Sequence, residues 1–137
     1  MKGRFIYNGP IGEAVYNPSD EFIKHVIFDM EATHWQMGSG DSCIEQEGGK
    51  ERLIFFCDED YGFFMMRHPE YLVTYDENVE IQTVTHNVGG EPMQIPTCSY
   101  ISKELAYQII HSFMQTGEIP GFVEWVDLYD IDFEYEF

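Results

Sequence analysis

Residues 89–127 read GGEPMQIPTCSYISKELAYQIIHSFMQTGEIPGFVEWVD, and this stretch predicts a helix, a tight turn and a returning strand. Apolar residues recur every fourth position and again one residue later, in the set Leu105, Ala106, Ile109, Ile110, Phe113 and Met114. This spacing places a broad apolar stripe on one side of a helix of about four turns. The stretch therefore predicts a helix that faces the core.

Both ends of this helix are marked in the sequence. Ser102 is an N-cap residue, and Gly117 follows the last periodic residue as a left-handed C-cap does. Pro120 cannot continue the helix, so residues 122–126 are predicted to form a strand that crosses the core. Leu105, Ile109, Phe113 and Trp125 are the predicted core residues of this unit.

The same stretch carries a family resemblance. Its markers, in order, are Gly89-Gly90, Pro96, the helix ending at Phe113, Thr116-Gly117-Glu118, Pro120 and Val123-Glu124-Trp125. In this order they resemble the C-terminal half of the immunity proteins of bacterial polymorphic toxin systems, the family that includes the immunity protein of the double-stranded-DNA cytidine deaminase toxin. The resemblance rests on about a third of the chain, and elsewhere on element order and length.

The resemblance implies a function and a partner. It implies a non-enzymatic protein that binds and inhibits a cognate toxin domain in a 1:1 complex. The favoured toxin is a nucleic-acid (cytidine) deaminase with a basic substrate cleft. No cofactor is implied.

Length and composition predict a single domain over residues 1–137. A chain of 137 residues with 44% hydrophobic residues and 11 Phe has enough apolar material for one core. The three cysteines, Cys43, Cys57 and Cys98, lack CxxC spacing and are predicted to be buried free thiols in a reducing compartment. No secretion signal or membrane-spanning run is evident, so we expect a cytoplasmic protein without membrane contact.

Charge is the most informative property of the composition. The chain has 7 basic and 25 acidic residues, a formal net charge of −18. Direct nucleic-acid binding is disfavoured, because phosphate neutralisation requires clustered Lys and Arg. The expected partner is a basic protein.

Upstream, hydrophobic periodicity predicts two more kinds of element. A short strand is predicted at residues 4–7, and a first helix begins at Ser19 or Asp20 and ends near Asp29. The apolar face of that helix comprises Phe22, Ile23, Val26, Ile27 and Met30. Alternating patterns then predict strands at residues 33–37 and 43–47.

The central region predicts antiparallel strands. Residues 52–57 and 62–67 are two aromatic runs on either side of an acidic tip, which is typical of a hairpin. Further strands are predicted at residues 71–75 and 79–85. The expected fold class is α+β, an antiparallel sheet of about five or six strands with two main helices on one face and the other face left available.

The candidate toxin-binding residues are acidic and aromatic side chains of turns and of the C-terminal tail. They are Asp58, Glu59, Asp60, Tyr61, Tyr75, Asp76, Glu77, Tyr129, Asp130, Asp132 and Glu134. Tight turns on a rigid sheet are where recognition residues usually lie. The alternating tail after Trp125 is either an ordinary edge strand whose charges discourage aggregation or an extension that pairs with a partner.

Catalytic and metal chemistry is not indicated. The five histidines show no metal-ligand spacing, and phosphate loops, dinucleotide fingerprints and GxSxG motifs are absent. Two alternatives remain open. One is an acidic adaptor for a basic protein unrelated to toxins, and the other is a small hydrolase that uses His34 or His86 with a carboxylate.

Overall fold

The structure is a computed structural model of the chain. The structure describes residues 4–30, 35, 40–58, 60–68, 70–88 and 91–131, and only the backbone of residues 87, 88, 91 and 129. The strands are β1 (Phe5–Asn8), β2 (Val15–Tyr16), β3 (Ser42–Gln46), β4 (Arg52–Asp58), β5 (Gly62–His68), β6 (Leu72–Thr74), β7 (Thr83–Val88), β8 (Glu91–Pro96), β9 (Tyr100–Ile101) and β10 (Trp125–Asp127). The helices are α1 (Asp20–Lys24), continued by a π-helical turn (His25–Asp29), and α2 (Lys103–Thr116).

Eight strands form one antiparallel sheet in the order β10-β6-β5-β4-β3-β1-β2, with β9 also paired to β5. The predicted α+β class is confirmed. The sheet is larger than the five or six strands expected. Strands β2 and β9 have only two residues each, too few for an alternating pattern to be visible in the sequence.

The β4–β5 hairpin is the centre of the sheet. It pairs from Arg52↔His68 to Asp58↔Gly62, so each strand is one residue longer than predicted, β4 at the tip and β5 at the open end. Its four phenylalanines are Phe55, Phe56, Phe63 and Phe64, and all are buried. Since successive side chains point to opposite faces, both faces of this hairpin must be covered.

Both helices lie on one face of the sheet, as expected. Phe113 of α2 meets Phe5 of β1 edge to face, with ring centroids 5.2 Å apart. Phe22 of α1 meets Tyr7 at the same centroid distance. The predicted caps of α2 are confirmed, since Ser102 Oγ accepts from the Leu105 amide at 3.2 Å and Gly117 has φ of 77°.

The opposite face is not left open, which corrects the expectation. Strands β7 and β8 form a separate two-stranded hairpin, and His86 of β7 stacks on Phe56 with ring centroids 3.9 Å apart. The predicted strand at residues 79–85 is wrong in position, because pairing with β8 begins only at Thr83. Period-two alternation cannot show which partner strand a segment will choose.

The strand predicted at residues 122–126 is also shifted. Strand β10 begins at Trp125, and the Phe122 side chain is 56% exposed. Of the predicted core residues, Ile109 and Phe113 are buried, whereas Leu105 and Trp125 are only half-buried. Among the described strands, β10 is at the edge of the sheet and pairs only with β6, so no described strand covers its other side at Trp125.

Several predictions fall on or near residues that are not described. Of the predicted strand at residues 33–37, only Trp35 is described, and it is buried. Strand β10 ends at Asp127 and Leu128–Asp130 forms a 3-10 turn, so this part of the tail does not continue as a strand. Cys98 is buried as expected, but Cys43 and Cys57 are half-buried, and all three are free thiols. Within the described ranges, no helix combines the length and apolarity needed to cross a membrane.

Candidate functional site

The acidic tip of the β4–β5 hairpin is held in one conformation by its first residue. Asp58 Oδ1 accepts hydrogen bonds from the backbone amides of Asp60 at 2.8 Å and Tyr61 at 3.2 Å. This is the local bonding that makes Asp a turn residue. Asp60 is exposed, and the Tyr61 side chain is 44% exposed. The tip therefore presents an acid and an aromatic ring to solvent.

The second predicted turn is fixed in the same way. Asp76 Oδ1 accepts from the Asn78 amide at 3.0 Å, while the Asp76 amide donates to the carbonyl of Cys98 at 2.9 Å. The Tyr75 amide donates to the carbonyl of Glu124 at 3.1 Å. Asp76 and Glu77 are exposed. The turn is anchored to two distant segments of the chain.

The two turns border one cavity, which we call the acidic cleft. Its volume is about 670 Å³. It is lined by Tyr61, Thr74, Tyr75, Asp76, Glu77, Asn78, Tyr100, Ile101, Ser102, Leu105, Val123 and Glu124. Strand β5 pairs with β9 at Phe63 and Phe64 and with β6 at Met66 and Arg67. The cleft lies where the edge of β5 changes from one partner to the other.

A close backbone approach determines one end of the cleft. Gly62 has φ of +104°, and a Cβ atom at this position would lie 2.3 Å from the carbonyl oxygen of Ile101. Only glycine tolerates both the positive φ and this approach. Gly62 therefore allows β9 to lie directly against the hairpin tip.

The carboxylates of the acidic cleft are not neutralised by the described part of the chain. Asp76, Glu77 and Glu124 are exposed, and none forms an ion pair with a described residue. Among the described residues, no Lys, Arg or His lines the cleft. Lys103, the first residue of α2, is outside the cleft lining. The cleft therefore carries uncompensated negative charge.

Tyr100 is a polar residue at the cleft that sequence reasoning missed. It is 7% exposed, and its ring lies 5.5 Å from that of Tyr61. Its hydroxyl is buried without a hydrogen-bond partner among the described residues. Burial raises the pKa of Tyr100, and the nearby Asp58 carboxylate raises it further, so the hydroxyl stays protonated at physiological pH.

Glu124 is the other cleft residue that the sequence analysis did not predict. It comes to the cleft because its carbonyl accepts from Tyr75, across 49 positions of sequence, and no local pattern signals such a contact. Tyr100 lies in a strand of two residues, which is too short to be predicted from the sequence pattern. Residues of this kind become visible only in the folded chain.

The remaining candidates lie elsewhere or outside the described residues. Asp130 is exposed beside a second cavity of about 660 Å³ at the edge strand β10. Tyr75 lines both cavities and so connects them. The side chain of Tyr129, and all of Glu59, Asp132 and Glu134, are outside the described residues.

A different polar cluster joins the two helices, and we call it the helix clamp. Asp20 accepts from the Tyr107 hydroxyl, and its carboxylate lies 3.3 Å from both Lys24 Nζ and His111 Nδ1. The hydrogen bond from Tyr107 is the largest influence that lowers the pKa of Asp20. The same bond raises the pKa of Tyr107 to about 12. Each charge of the clamp is paired within the chain.

His86 and Cys43 are side chains of types that catalysis or metal binding can use. His86 is buried, and its Nε2 lies 2.9 Å from the carbonyl oxygen of Gly40. His34, the other candidate of the hydrolase hypothesis, is outside the described residues. Burial raises the pKa of the Cys43 thiol to about 11. In the part of the chain that the structure describes, no group of three or more His, Cys, Asp and Glu is placed to hold a metal ion.

No protein-family model and no curated protein sequence matches this chain.

Proposed function

We propose that this protein is an immunity protein that binds a cognate bacterial toxin domain and inhibits it by covering the basic substrate cleft of the toxin. The favoured toxin class is a nucleic-acid (cytidine) deaminase. The observation that carries the proposal is the acidic cleft, where the carboxyl-bearing residues Asp76, Glu77 and Glu124 line one cavity without a Lys, Arg or His among the described lining residues. A net charge of −18 extends this field over the whole molecule.

The physical basis of inhibition is charge complementarity. An enzyme that acts on nucleic acid must attract phosphates with basic side chains and admit an extruded base to a pocket. A rigid acidic surface that matches this field excludes the substrate by occupying the same site. Electrostatic steering raises association rate constants to about 10⁸–10⁹ M⁻¹s⁻¹ at low salt, so the inhibitor captures the toxin before DNA does.

Affinity requires more than charge. Exposed carboxylates contribute mainly to the association rate, whereas desolvated aromatic side chains usually dominate binding energy. Tyr61 and Tyr75 stand at the edge of the acidic cleft, and Tyr61 is already half exposed. These two rings are the proposed anchors, with Asp60, Asp76 and Glu77 as the charged rim.

Co-expression with a candidate deaminase toxin domain, taken from the open reading frame next to the gene of this chain, tests the proposal. The expected result is restored growth, a purified 1:1 complex and loss of the toxin's deaminase activity in vitro. Growth arrest in spite of equal expression would contradict the proposal. Co-purification of a basic protein without toxin activity would favour an acidic adaptor instead.

A further inference from the structure

We infer that residues 132–137 of this chain dock on the outer edge of strand β10 as an additional antiparallel strand and cover the apolar cavity at that edge. These six residues lie outside the described part of the chain. The direction of the backbone groups of β10, the lining of the cavity, the course of the chain up to Ile131 and the sequence that follows it support this docking. It does not depend on the proposed function.

Strand β10 directs backbone hydrogen-bonding groups away from β6. Two bonds of the β6–β10 pair are donated by the amides of Tyr75, at 3.1 Å, and Leu128, at 3.0 Å. In an antiparallel pair, bonds spaced in this way leave the amides and carbonyls of Trp125 and Asp127 pointing to the opposite side. No described strand lies on that side. An edge of this kind is a template for a further strand.

An apolar cavity of about 660 Å³ lies at the same edge. Two aspartates, Asp127 and Asp130, form the polar part of its lining. The rest of the lining is apolar or aromatic and consists of Leu72, Tyr75, Ile81, Trp125, Val126 and Ile131. The Ile81 side chain is 38% exposed among the described residues. A segment that covers this surface with aromatic side chains is therefore stabilised by burial.

The chain returns to this cavity just before residue 132. Strand β10 ends at Asp127, a 3-10 turn follows at Leu128–Asp130, and the Ile131 amide donates to the Leu128 carbonyl at 3.3 Å. Ile131 is 5% exposed and lines the same cavity as Trp125, the first residue of β10. Because the two residues meet at one cavity, the chain has reversed its direction at the turn. Residue 132 therefore begins beside the outer edge of β10.

The residues after Ile131 have the length and the pattern of a strand that covers such an edge. They read DFEYEF. Six extended residues span about 20 Å, roughly twice the length of the three-residue strand β10. Phe133, Tyr135 and Phe137 alternate with three carboxylates, so a strand has one aromatic and one acidic side. The aromatic side meets the cavity, and the acidic side stays in water.

Proximity favours this segment over a second copy of the chain. A segment tethered by a short turn has an effective concentration in the millimolar range, about a hundredfold above that of a protein at roughly 10 μM. A second copy also brings a further net charge of −18, which opposes association. The tethered segment therefore occupies the edge first.

Amide hydrogen exchange of the isotope-labelled full chain, followed by NMR, tests this docking. The amides of Trp125 and Asp127 report on the outer side of β10. The control is the amide of Tyr16 in β2, at the other end of the sheet, which also points away from its partner because the Asn17 amide donates to β1. We expect protection factors at Trp125 and Asp127 at least about tenfold above that of Tyr16. Protection no greater than that of Tyr16 would overturn the inference.

Two full-length variants show whether the aromatic side provides this protection. Phe133→Ser combined with Tyr135→Ser should lower the protection of Trp125 and Asp127 by about tenfold or more. Glu134→Gln, which lies between them on the acidic side, is the matched control and should leave it unchanged. The Leu128 amide bonds to the Tyr71 carbonyl and should stay protected in both variants, which shows that the fold is retained. Undiminished protection of Trp125 and Asp127 in the double variant would overturn the inference.

The same assay distinguishes other occupants of the edge. Docking of residues 132–137 predicts protection that is present in the isolated protein and does not change on dilution by about tenfold. Protection that weakens on dilution would assign the edge to a second copy of the chain. Protection that arises only when a toxin domain is added would assign it to a strand of the partner. Either result would overturn the inference.

Discussion

The helix clamp and the acidic cleft are both polar surface clusters, yet they treat charge in opposite ways. In the clamp, Asp20 has three partners, the Tyr107 hydroxyl, Lys24 and His111, all from the two helices it joins. In the cleft, Asp76 and Glu77 have no cationic partner in the described chain. Satisfied charges stabilise the fold that holds them. Unsatisfied charges in a chain of net charge −18 repel one another and serve the fold little.

The position of the counter-charge therefore distinguishes the two clusters. In a structural cluster the counter-charge belongs to the same chain, whereas at a binding surface it is supplied by a partner. Helix α2 contributes to both regions, because its residues Tyr107 and His111 belong to the helix clamp and its residue Leu105 lines the acidic cleft. Both clusters therefore depend on the packing of α2. A substitution on the core face of α2 should affect both clusters, whereas a substitution within one cluster should affect that cluster alone.

Phe113→Ala is expected to give the largest loss of stability, about 3–5 kcal/mol, through lost transfer energy and a residual cavity. Phe113 is buried and packs its ring against Phe5. Both the clamp and the cleft should be lost together as the protein unfolds. Urea denaturation measures the effect, with Gln108→Ala on the exposed side of the same helix as control. A Phe113→Ala protein that melts like the wild type but no longer binds its partner would make α2 an interface.

Gly62→Ala tests the close backbone approach between the hairpin tip and β9 that positions one end of the cleft. The substitution adds a positive-φ penalty and a clash with the Ile101 carbonyl, so the expected loss is about 3 kcal/mol. Gly12→Ala is the matched control, because Gly12 has φ of +90° but no atom within 4 Å of an added Cβ, and about 1 kcal/mol is expected there. Equal thermal shifts in the two variants would show that the close approach to β9 is not tight.

Asp20→Asn is expected to change the titration of Tyr107 in the clamp. The hydrogen bond to Asp20 is the first cause that raises the pKa of Tyr107 to about 12, so this pKa should fall towards the ordinary tyrosine value. Tyrosine ¹³Cζ NMR shifts measure it, with Asp29→Asn as control, since Asp29 contacts His25 instead. An unchanged pKa of Tyr107 would show that the two helices are not joined by this bond in solution.

The clamp also predicts how stability depends on pH. The pKa of Asp20 is lowered on folding, so its contribution is present above the unfolded pKa near 3.8 and is lost as pH falls through the folded value. The pKa of Tyr107 is raised, so its contribution is present below about pH 10 and is lost as pH rises through about 12. Both effects are small, about 1 kcal/mol or less, because the pair is exposed. Melting temperatures of wild type and Asp20→Asn should converge at both extremes.

Local signals in the sequence predicted the elements that carry them in full. Helix α2 has a periodic stripe and a cap at each end, and the β4–β5 hairpin has two long aromatic runs around one turn. Both were located to within a residue or two. The two-residue strands β2 and β9 were missed, and the strand at residues 79–85 was predicted to begin too early, because pairing partners are chosen by the tertiary structure.

The candidate site was half predictable for the same reason. The acidic turns were recognisable, since Asp58 and Asp76 are turn residues that bond their own backbone. The cleft between them was not, because it arises where β5 exchanges β9 for β6, and Tyr100 and Glu124 reach it from separate parts of the chain. The paired state of Asp20 and the unpaired state of Asp76 look alike in the sequence.

The central claim is that the carboxylates around the cleft serve a basic partner and not the fold. The test variant neutralises four of them, Asp58→Asn, Asp60→Asn, Asp76→Asn and Glu77→Gln, and asparagine keeps the Oδ1 that accepts the turn hydrogen bonds. The matched control neutralises four exposed glutamates outside the cleft, Glu13→Gln, Glu21→Gln, Glu70→Gln and Glu118→Gln. Neither variant should change the free energy of unfolding by more than about 1 kcal/mol.

The deciding measurement is the association rate constant with the toxin domain, by stopped flow at low and at high salt. The account predicts that the test variant associates at least about tenfold more slowly than the control variant at low salt, and that the difference shrinks as salt screens the field. Equal association rates of the two variants at low salt would contradict it, because only the total charge would then matter and not its place in the cleft.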